Sequence, residues 1–187
     1  MNAVLCSRNP NKARELELLL PGWHVVPLEA DGYPDETGAT YLENARGKAV
    51  YGRSAGDPVA WMIGEDSGIE VDGLDGGPGV ESARFGGDDP VGRLLGALEG
   101  AAGAARRGRY VCELVAVSPA GEEVRGTGVL EGAIAHEPRG SEGFGYDPVF
   151  VPEGETRTVA ELGNRWKAEN SHRSRAARAL LEALNTP

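Results

Sequence analysis

Two acidic residues far apart in the chain have the types and settings of metal ligands. Glu36 stands in a loop before a predicted helix, and Asp66 follows a predicted buried strand over residues 60–64. Mg²⁺ prefers oxygen ligands and is usually bound through one or two carboxylates plus the phosphates of a substrate. Acidic residues at strand ends can supply this arrangement where α/β proteins bind ligands. The alternative is that both side chains only cap helices or form turns.

The first predicted strand, residues 3–6, leads into a loop that could bind phosphate. The loop consists of Ser7, Arg8, Asn9, Pro10, Asn11 and Lys12. A helix N-terminus offers unpaired N–H groups and a positive dipole end to anions, and Lys12 would add a full positive charge. The loop has neither the glycines nor the Gly-Lys-Ser/Thr ending of a Walker A motif. An ordinary helix cap with a solvated lysine is the alternative.

A later segment has glycines on both sides of an aromatic ring. It contains Phe144, Gly145, Tyr146 and Asp147, preceded by Gly143. Glycine lets the backbone approach a ligand closely, and an exposed ring can stack on a base. The alternative is a tight turn beside two core aromatic residues.

Hydrogen-bond donors gather before the last predicted helix. Lys167, His172 and Arg173 could donate to a ligand, whereas Ser171 would serve as an N-cap in the structural alternative. No spacing of His and Cys residues suggests a zinc site.

The apolar pattern predicts strands that alternate with helices in the first half and a hairpin later. A capping box at Thr40 starts one helix, and residues 173–184 have the spacing of a closing helix. Residues 110–117 and 123–131 flank a turn and predict an antiparallel hairpin. Residues 100–108, rich in Ala and Gly, predict a flexible connection. This order predicts an α/β fold with a mixed β-sheet.

Length and composition bound the remaining possibilities. The 187 residues fit one domain over residues 1–187. The formal net charge of −10 argues against nonspecific duplex binding, which needs Lys and Arg to neutralise phosphates. No apolar run approaches the roughly 18 residues of a membrane span, and the start has no signal-peptide features. We therefore expect a cytoplasmic protein without nucleic-acid or membrane partners, in which Cys6 and Cys112 are buried thiols.

Together these motifs resemble those of the inosine triphosphate pyrophosphatase family, over nearly the whole chain. Six motifs occur in the family's order. They are residues 7–12; Glu36-Thr37-Gly38 with Glu43-Asn44-Ala45 and Lys48; Asp66-Ser67-Gly68 with Val71-Asp72; Pro78-Gly79 with Ser82-Ala83-Arg84; residues 144–148; and Lys167 with Ser171-His172-Arg173. The chain departs from the family pattern at Arg8, where the family usually has Gly, and at Glu65, where it usually has Asp.

The resemblance implies a fold, an assembly and an activity. The fold would be an elongated mixed β-sheet flanked by helices in two lobes with a central substrate cleft, and the assembly would be a homodimer. The activity would be Mg²⁺-dependent hydrolysis of the nonstandard purine nucleotides ITP, dITP and XTP. The products would be the nucleoside monophosphate and pyrophosphate, so the enzyme would cleanse the nucleotide pool.

By position, the resemblance also implies a role for each candidate residue. Glu36 and Asp66 would bind Mg²⁺, and Asp66 and Lys12 would be catalytic, with Asp66 accepting the proton of the attacking water. Residues 7–12 would hold the triphosphate, and Ser67 would touch the substrate. The base and sugar would contact Phe144, Gly145, Tyr146, Asp147, Lys167, His172 and Arg173.

Three other interpretations stay open at this point. The chain could hydrolyse modified pyrimidine nucleotides, bind nucleotides as a regulator without turnover, or form an interaction domain in which the acidic loops are only turns. The residues around Phe144 and His172 favour purines, and the presence of both Glu36 and Asp66 favours turnover over regulation.

Overall fold

The computed structural model describes residues 1–7, 9–30 and 32–185. The strands are β1 (Asn2–Leu5), β2 (His24–Pro27), β3 (Trp61–Val71), β4 (Arg107–Val117), β5 (Glu123–Ile134) and β6 (Phe150–Pro152). The α-helices are α1 (Pro10–Leu19), α2 (Tyr41–Ala55), α3 (Pro90–Ala97), α4 (Val159–Asn170) and α5 (His172–Leu184). Within these ranges, no helix is long and apolar enough to cross a membrane.

The six strands form one mixed sheet in the order β2-β1-β3-β4-β5-β6. Strand β1 pairs in parallel with β2 and β3, because α1 and α2 provide the long connections that parallel neighbours need. Strands β5 and β6 pair antiparallel. A tight turn joins β4 to β5, in which Gly121 N–H donates to Ser118 O at 2.9 Å. The α/β fold with a mixed sheet is confirmed, and so is the hairpin.

The chain divides into two compact units. The first comprises the described residues of Met1–Asp66, Cys112–Gly128 and Arg173–Pro187, and the second comprises Ser67–Val111 and Val129–His172. Each unit has its own apolar core. The single domain over residues 1–187 stays a prediction.

In the first unit, helices cover both faces of β3. On one face, Ile63 packs in a core with Leu16 of α1 and Leu180 of α5. The next residue, Gly64, points to the other face, because side chains alternate along a strand. A Cβ atom at Gly64 would lie 1.8 Å from the carbonyl oxygen of Ala45, so α2 can pack this closely only against glycine.

The core of the second unit combines aliphatic and aromatic side chains. The rings of Tyr110 and Phe150 lie 4.5 Å apart between centroids. The same core includes Ile69, Leu94, Leu98, Leu130, Ile134 and Val149.

Two local expectations differ from the structure, and one helix was not predicted. The strand predicted over residues 60–64 does not end before Glu65, because β3 continues to Val71 beside β4, which has the same length of 11 residues. Residues 100–108 are not simply a flexible connection, because buried Arg106 donates hydrogen bonds to three backbone carbonyls and β4 begins immediately afterwards. Helix α4 was not predicted, although Thr158 and Glu161 form a capping box at its start.

Candidate active site

The loop predicted to bind phosphate forms a capped helix start. The side chain of Asn9 accepts a hydrogen bond from Asn11 N–H at 3.0 Å, and Asn9 N–H donates to Ser7 Oγ at 3.2 Å. Pro10 occupies the first turn of α1, where its missing N–H costs nothing. The loop therefore delivers Lys12 to the first turn of α1. Arg8 lies outside the described residues.

The two predicted metal ligands meet at one ammonium group. Lys48 Nζ lies 2.5 Å from Glu36 Oε1 and 3.1 Å from Asp66 Oδ1, and it also donates to the backbone oxygen of Glu65 at 3.0 Å. Asn44, one helical turn before Lys48 on α2, donates to Asp66 Oδ2 at 3.1 Å. Carboxylates 30 positions apart in the sequence thus converge on a single positive charge.

Burial and neighbouring charges shift the pKa values of Asp66 and Lys48 in opposite directions. Burial raises the pKa of Asp66 above its ordinary value, and the positive charge of Lys48 and the hydrogen bond from Asn44 offset this only in part. Burial alone would lower the pKa of Lys48, but Asp66 and Glu36 outweigh it, so the pKa of Lys48 is raised. The pKa of Asp66 and the pKa of Lys48 are therefore both raised, and the two side chains remain in contact.

Glu36 and Asp66, which both contact Lys48, are the residues that could hold a metal ion here. Among the described residues, no group of three or more His, Cys, Asp or Glu side chains could hold a metal ion. Glu36 and Asp66 nevertheless each place a carboxylate oxygen beside the ammonium group of Lys48. Two carboxylates with the remaining ligands from water and phosphate are what Mg²⁺ sites usually contain.

A second ionic cluster lies on the opposite face of β3, since Glu65 and Asp66 are consecutive strand residues. Glu65 is fully buried and pairs with Lys12 and with Arg173, whose Nη2 lies 2.9 Å from Glu65 Oε1. Arg173 Nη1 also pairs with Glu15 of α1. Burial alone would raise the pKa of Glu65, but Lys12 and Arg173 outweigh it, so this pKa lies well below its usual value.

Sequence reasoning recorded Glu65 only as a departure from a motif, and it gave Lys48 no role. Both residues organise the site, because Glu65 contacts Lys12 and Lys48 contacts both predicted metal ligands. The available signal for Lys48 was its spacing of four residues from Asn44, which places both side chains on one face of a helix.

The second unit contains a cluster built around Asp147. Its Oδ2 accepts hydrogen bonds from Phe144 N–H and from Lys167 Nζ, both at 2.8 Å. The ammonium of Lys167 lies 3.8 Å from the centroid of the Phe144 ring. Gly145 has a φ of 63°, which favours glycine in this turn. The predicted base-site residues Phe144, Asp147 and Lys167 are therefore in mutual contact.

The remaining candidates occupy separate positions. Tyr146 is a core residue whose OH donates to Ser82 O at 2.8 Å, and burial raises its pKa to about 12. The ring of His172 stacks on Tyr110 at 4.6 Å. Ser67 is half-buried in β3, directly after Asp66. The structure brings Arg173 together with Lys12 through Glu65 in the first unit.

Known proteins match the chain over almost its full length. The sequence pattern of the Ham1 family matches residues 3–183. A Thermus thermophilus protein named dITP/XTP pyrophosphatase is 46% identical, and the match covers 98% of this chain and 91% of that protein. The Ham1 protein of Staphylococcus aureus has the same fold, with a TM-score of 0.83, 33% identity, and coverage of 98% of this chain and 97% of that one.

A second solved structure also has the fold of this chain. It is described as the nucleoside-triphosphatase, dITP/XTP pyrophosphatase, of Mycobacterium abscessus, with a TM-score of 0.75, 39% identity, and coverage of 99% of this chain and 100% of that one. These matches confirm the resemblance drawn from the six motifs. The chain belongs to the Ham1 family.

Proposed function

We propose that the chain is a nucleoside triphosphate pyrophosphatase that hydrolyses nonstandard purine nucleotides, namely dITP, XTP and ITP, with the help of Mg²⁺. The names of its relatives support the reaction class, since the Thermus thermophilus and Mycobacterium abscessus proteins are both named dITP/XTP pyrophosphatases. The observation that carries the proposal is the convergence of Glu36 and Asp66 on Lys48. The products would be the nucleoside monophosphate and pyrophosphate.

Each part of the first unit would have a distinct task. Residues 7–12 would bind the triphosphate through the N-terminus of α1 and the charge of Lys12. Asp66 would orient the attacking water and accept its proton, a task suited to a carboxylate whose pKa is raised. Ser67, the next residue of β3 and the first of the second unit, would contact the substrate. Mg²⁺ held by Glu36 and Asp66 would supply positive charge to the phosphates.

In the second unit, we assign the base and sugar to the cluster around Asp147. One face of the Phe144 ring carries the ammonium of Lys167, and the ring offers an aromatic surface on which a base can stack. Lys167 and His172 stay our predicted donors to the base, whereas Arg173 is 1% exposed and pairs with Glu65 and Glu15 in the first unit. Hypoxanthine and xanthine present an oxygen acceptor at the 6-position, whereas adenine presents an amino donor, and one mismatched buried contact costs about 1–3 kcal/mol.

Pyrophosphate release from a panel of nucleoside triphosphates, with and without Mg²⁺, tests this function directly. We expect release from ITP, dITP and XTP in the presence of Mg²⁺ and much less from ATP. The variant Asp66→Asn should fold and lose at least about 100-fold in turnover. The variant Asp72→Asn is the matched control, because Asp72 is exposed beyond the end of β3. Near wild-type turnover in Asp66→Asn would remove Asp66 from the reaction.

Two further parts of the proposal concern the protein as a whole. A homodimer is implied by the family resemblance, and sedimentation equilibrium would test it. The cytoplasmic location stays a prediction that microscopy of the tagged protein would test.

A further inference from the structure

We propose that Glu65 is a positioning residue that fixes the ammonium of Lys12 where the phosphates bind. Arg173 is the anchor that holds Glu65 in place. This inference rests on the function proposed above, in which Lys12 binds the triphosphate. It assigns a task to a carboxylate whose side chain contacts Lys12 and Arg173 but neither of the predicted metal ligands.

The charges alternate along a closed path that begins and ends on α1. Lys12 pairs with Glu65, Glu65 with Arg173, and Arg173 with Glu15, which follows Lys12 by three residues on the same helix. The path thus ties the first turn of α1 to β3 and to the start of α5. A displacement of the Lys12 ammonium would break its ion pair with Glu65.

Burial gives this path its rigidity. Glu65 is 0% exposed and Arg173 is 1% exposed, so water cannot replace either partner. Removing one member of such a buried pair leaves an uncompensated charge in the interior, which is strongly unfavourable. Replacing all the members with apolar residues would often be neutral or stabilising, so stability alone does not explain why the path is charged.

Of the two cations in the path, Lys12 is the one that a ligand can reach, because the side chain of Arg173 is only 1% exposed. The side chain of Lys12 keeps 14% of its surface exposed, whereas that of Glu65 keeps none. A lysine side chain is long and flexible, and ordering it on ligand binding costs rotamer entropy. Glu65 orders the ammonium before the phosphates arrive, which is the preorganisation that a charge-stabilising site needs.

A double-mutant cycle separates positioning from simple structural support. Glu65→Gln, measured by ITP hydrolysis with Mg²⁺, should lower kcat/KM by about 10- to 100-fold, the size expected when a catalytic group is misplaced by about 1 Å. In the Lys12→Met background the same change should cost less than about 3-fold, because the residue it positions is gone. An equal loss in both backgrounds would overturn the inference.

A matched control uses another buried carboxylate of the first unit. Glu113 binds Arg125 and Thr127 on β5, at distances of 2.8–3.0 Å, and is similarly inaccessible. Glu113→Gln should change kcat/KM by the same factor with and without Lys12. A loss that also depends on Lys12 would mean that the cycle detects general destabilisation, and it would overturn the inference.

Two provisions keep the experiment decisive. If Glu65→Gln does not fold, Glu15→Gln removes the more exposed partner of the anchor Arg173, and the same criterion of non-additivity applies. If Lys12→Met alone leaves ITP hydrolysis unchanged, the role of Lys12 in the proposed function fails, and the positioning role fails with it. Additive losses with an impaired Lys12→Met would instead overturn the positioning role alone.

Discussion

Replacing Lys48 with methionine should destabilise the protein, and Mg²⁺ should reverse much of the loss. Methionine keeps most of the apolar stem but leaves Glu36 and Asp66 without the cation between them. Both carboxylate oxygens lie within 3.1 Å of Lys48 Nζ, so they are at most about 6 Å apart. Two negative charges at about 6 Å repel by about 3 kcal/mol at an effective dielectric constant of about 20.

A loss of this size is easy to measure. For a protein of this length, about 3 kcal/mol corresponds to a fall of about 6–12 °C in Tm. Thermal unfolding of Lys48→Met and wild type in EDTA measures this difference. Titration with MgCl₂, against NaCl at equal ionic strength, then measures the recovery, which reaches about 2.7 kcal/mol when Mg²⁺ is at 100 times its Kd. Recovery should be smaller in wild type, where Lys48 competes with the metal.

The control substitution lies on the same helix. Arg46 forms an exposed pair with Glu123, with 47% of its side-chain surface accessible, so Arg46→Met should change stability by at most about 1 kcal/mol. Mg²⁺ should stabilise this variant no more than wild type. If Lys48→Met were as stable as wild type in EDTA, or gained no more from Mg²⁺ than Arg46→Met, Glu36 and Asp66 would not form a cation site.

Three further predictions concern buried groups. Burial raises the pKa of Cys6 to about 12 and that of Cys112 well above its usual value, so neither thiol should react with a disulfide reagent at pH 8 until the protein is unfolded, as absorbance would record. The pKa of Glu65 in the folded protein lies well below its usual 4.5, so Glu65 stabilises the protein fully above about pH 4.5. This stabilisation is lost as the pH falls toward the pKa of the folded state. In urea unfolding, the free energy of unfolding should therefore fall less between pH 5.5 and pH 3.5 for Glu65→Gln than for wild type. Asp147→Asn removes the charge that pairs with buried Lys167, and it should lower the free energy of unfolding by about 3–5 kcal/mol in a urea titration.

Local chemistry in the sequence was sufficient to place several helices. The capping box formed by Thr40 and Glu43 is present at the start of α2, and Pro10 lies in the first turn of α1. These signals work from sequence because a cap involves residues only two or three positions apart.

The helix that carries Lys167 was harder to predict. Gly163 lies inside α4 with a φ of 88°, so the helix is interrupted and its apolar spacing does not run through. The capping box at Thr158 was the signal that remained. Likewise, polar residue types at 65–68 suggested a turn, whereas buried ionic partners let the strand continue.

The sequence by itself determined the residue types of the site, the family, and the loops and helix starts that hold Lys12 and Glu36. Only the tertiary structure decided which of these charged side chains pair with each other. Because consecutive residues of a strand face opposite sides, Asp66 meets Lys48 and Asn44 of α2, whereas Glu65 meets Lys12 and Arg173. That division depends on β3 continuing past residue 64 and on helices packing against both of its faces, which no local pattern specifies.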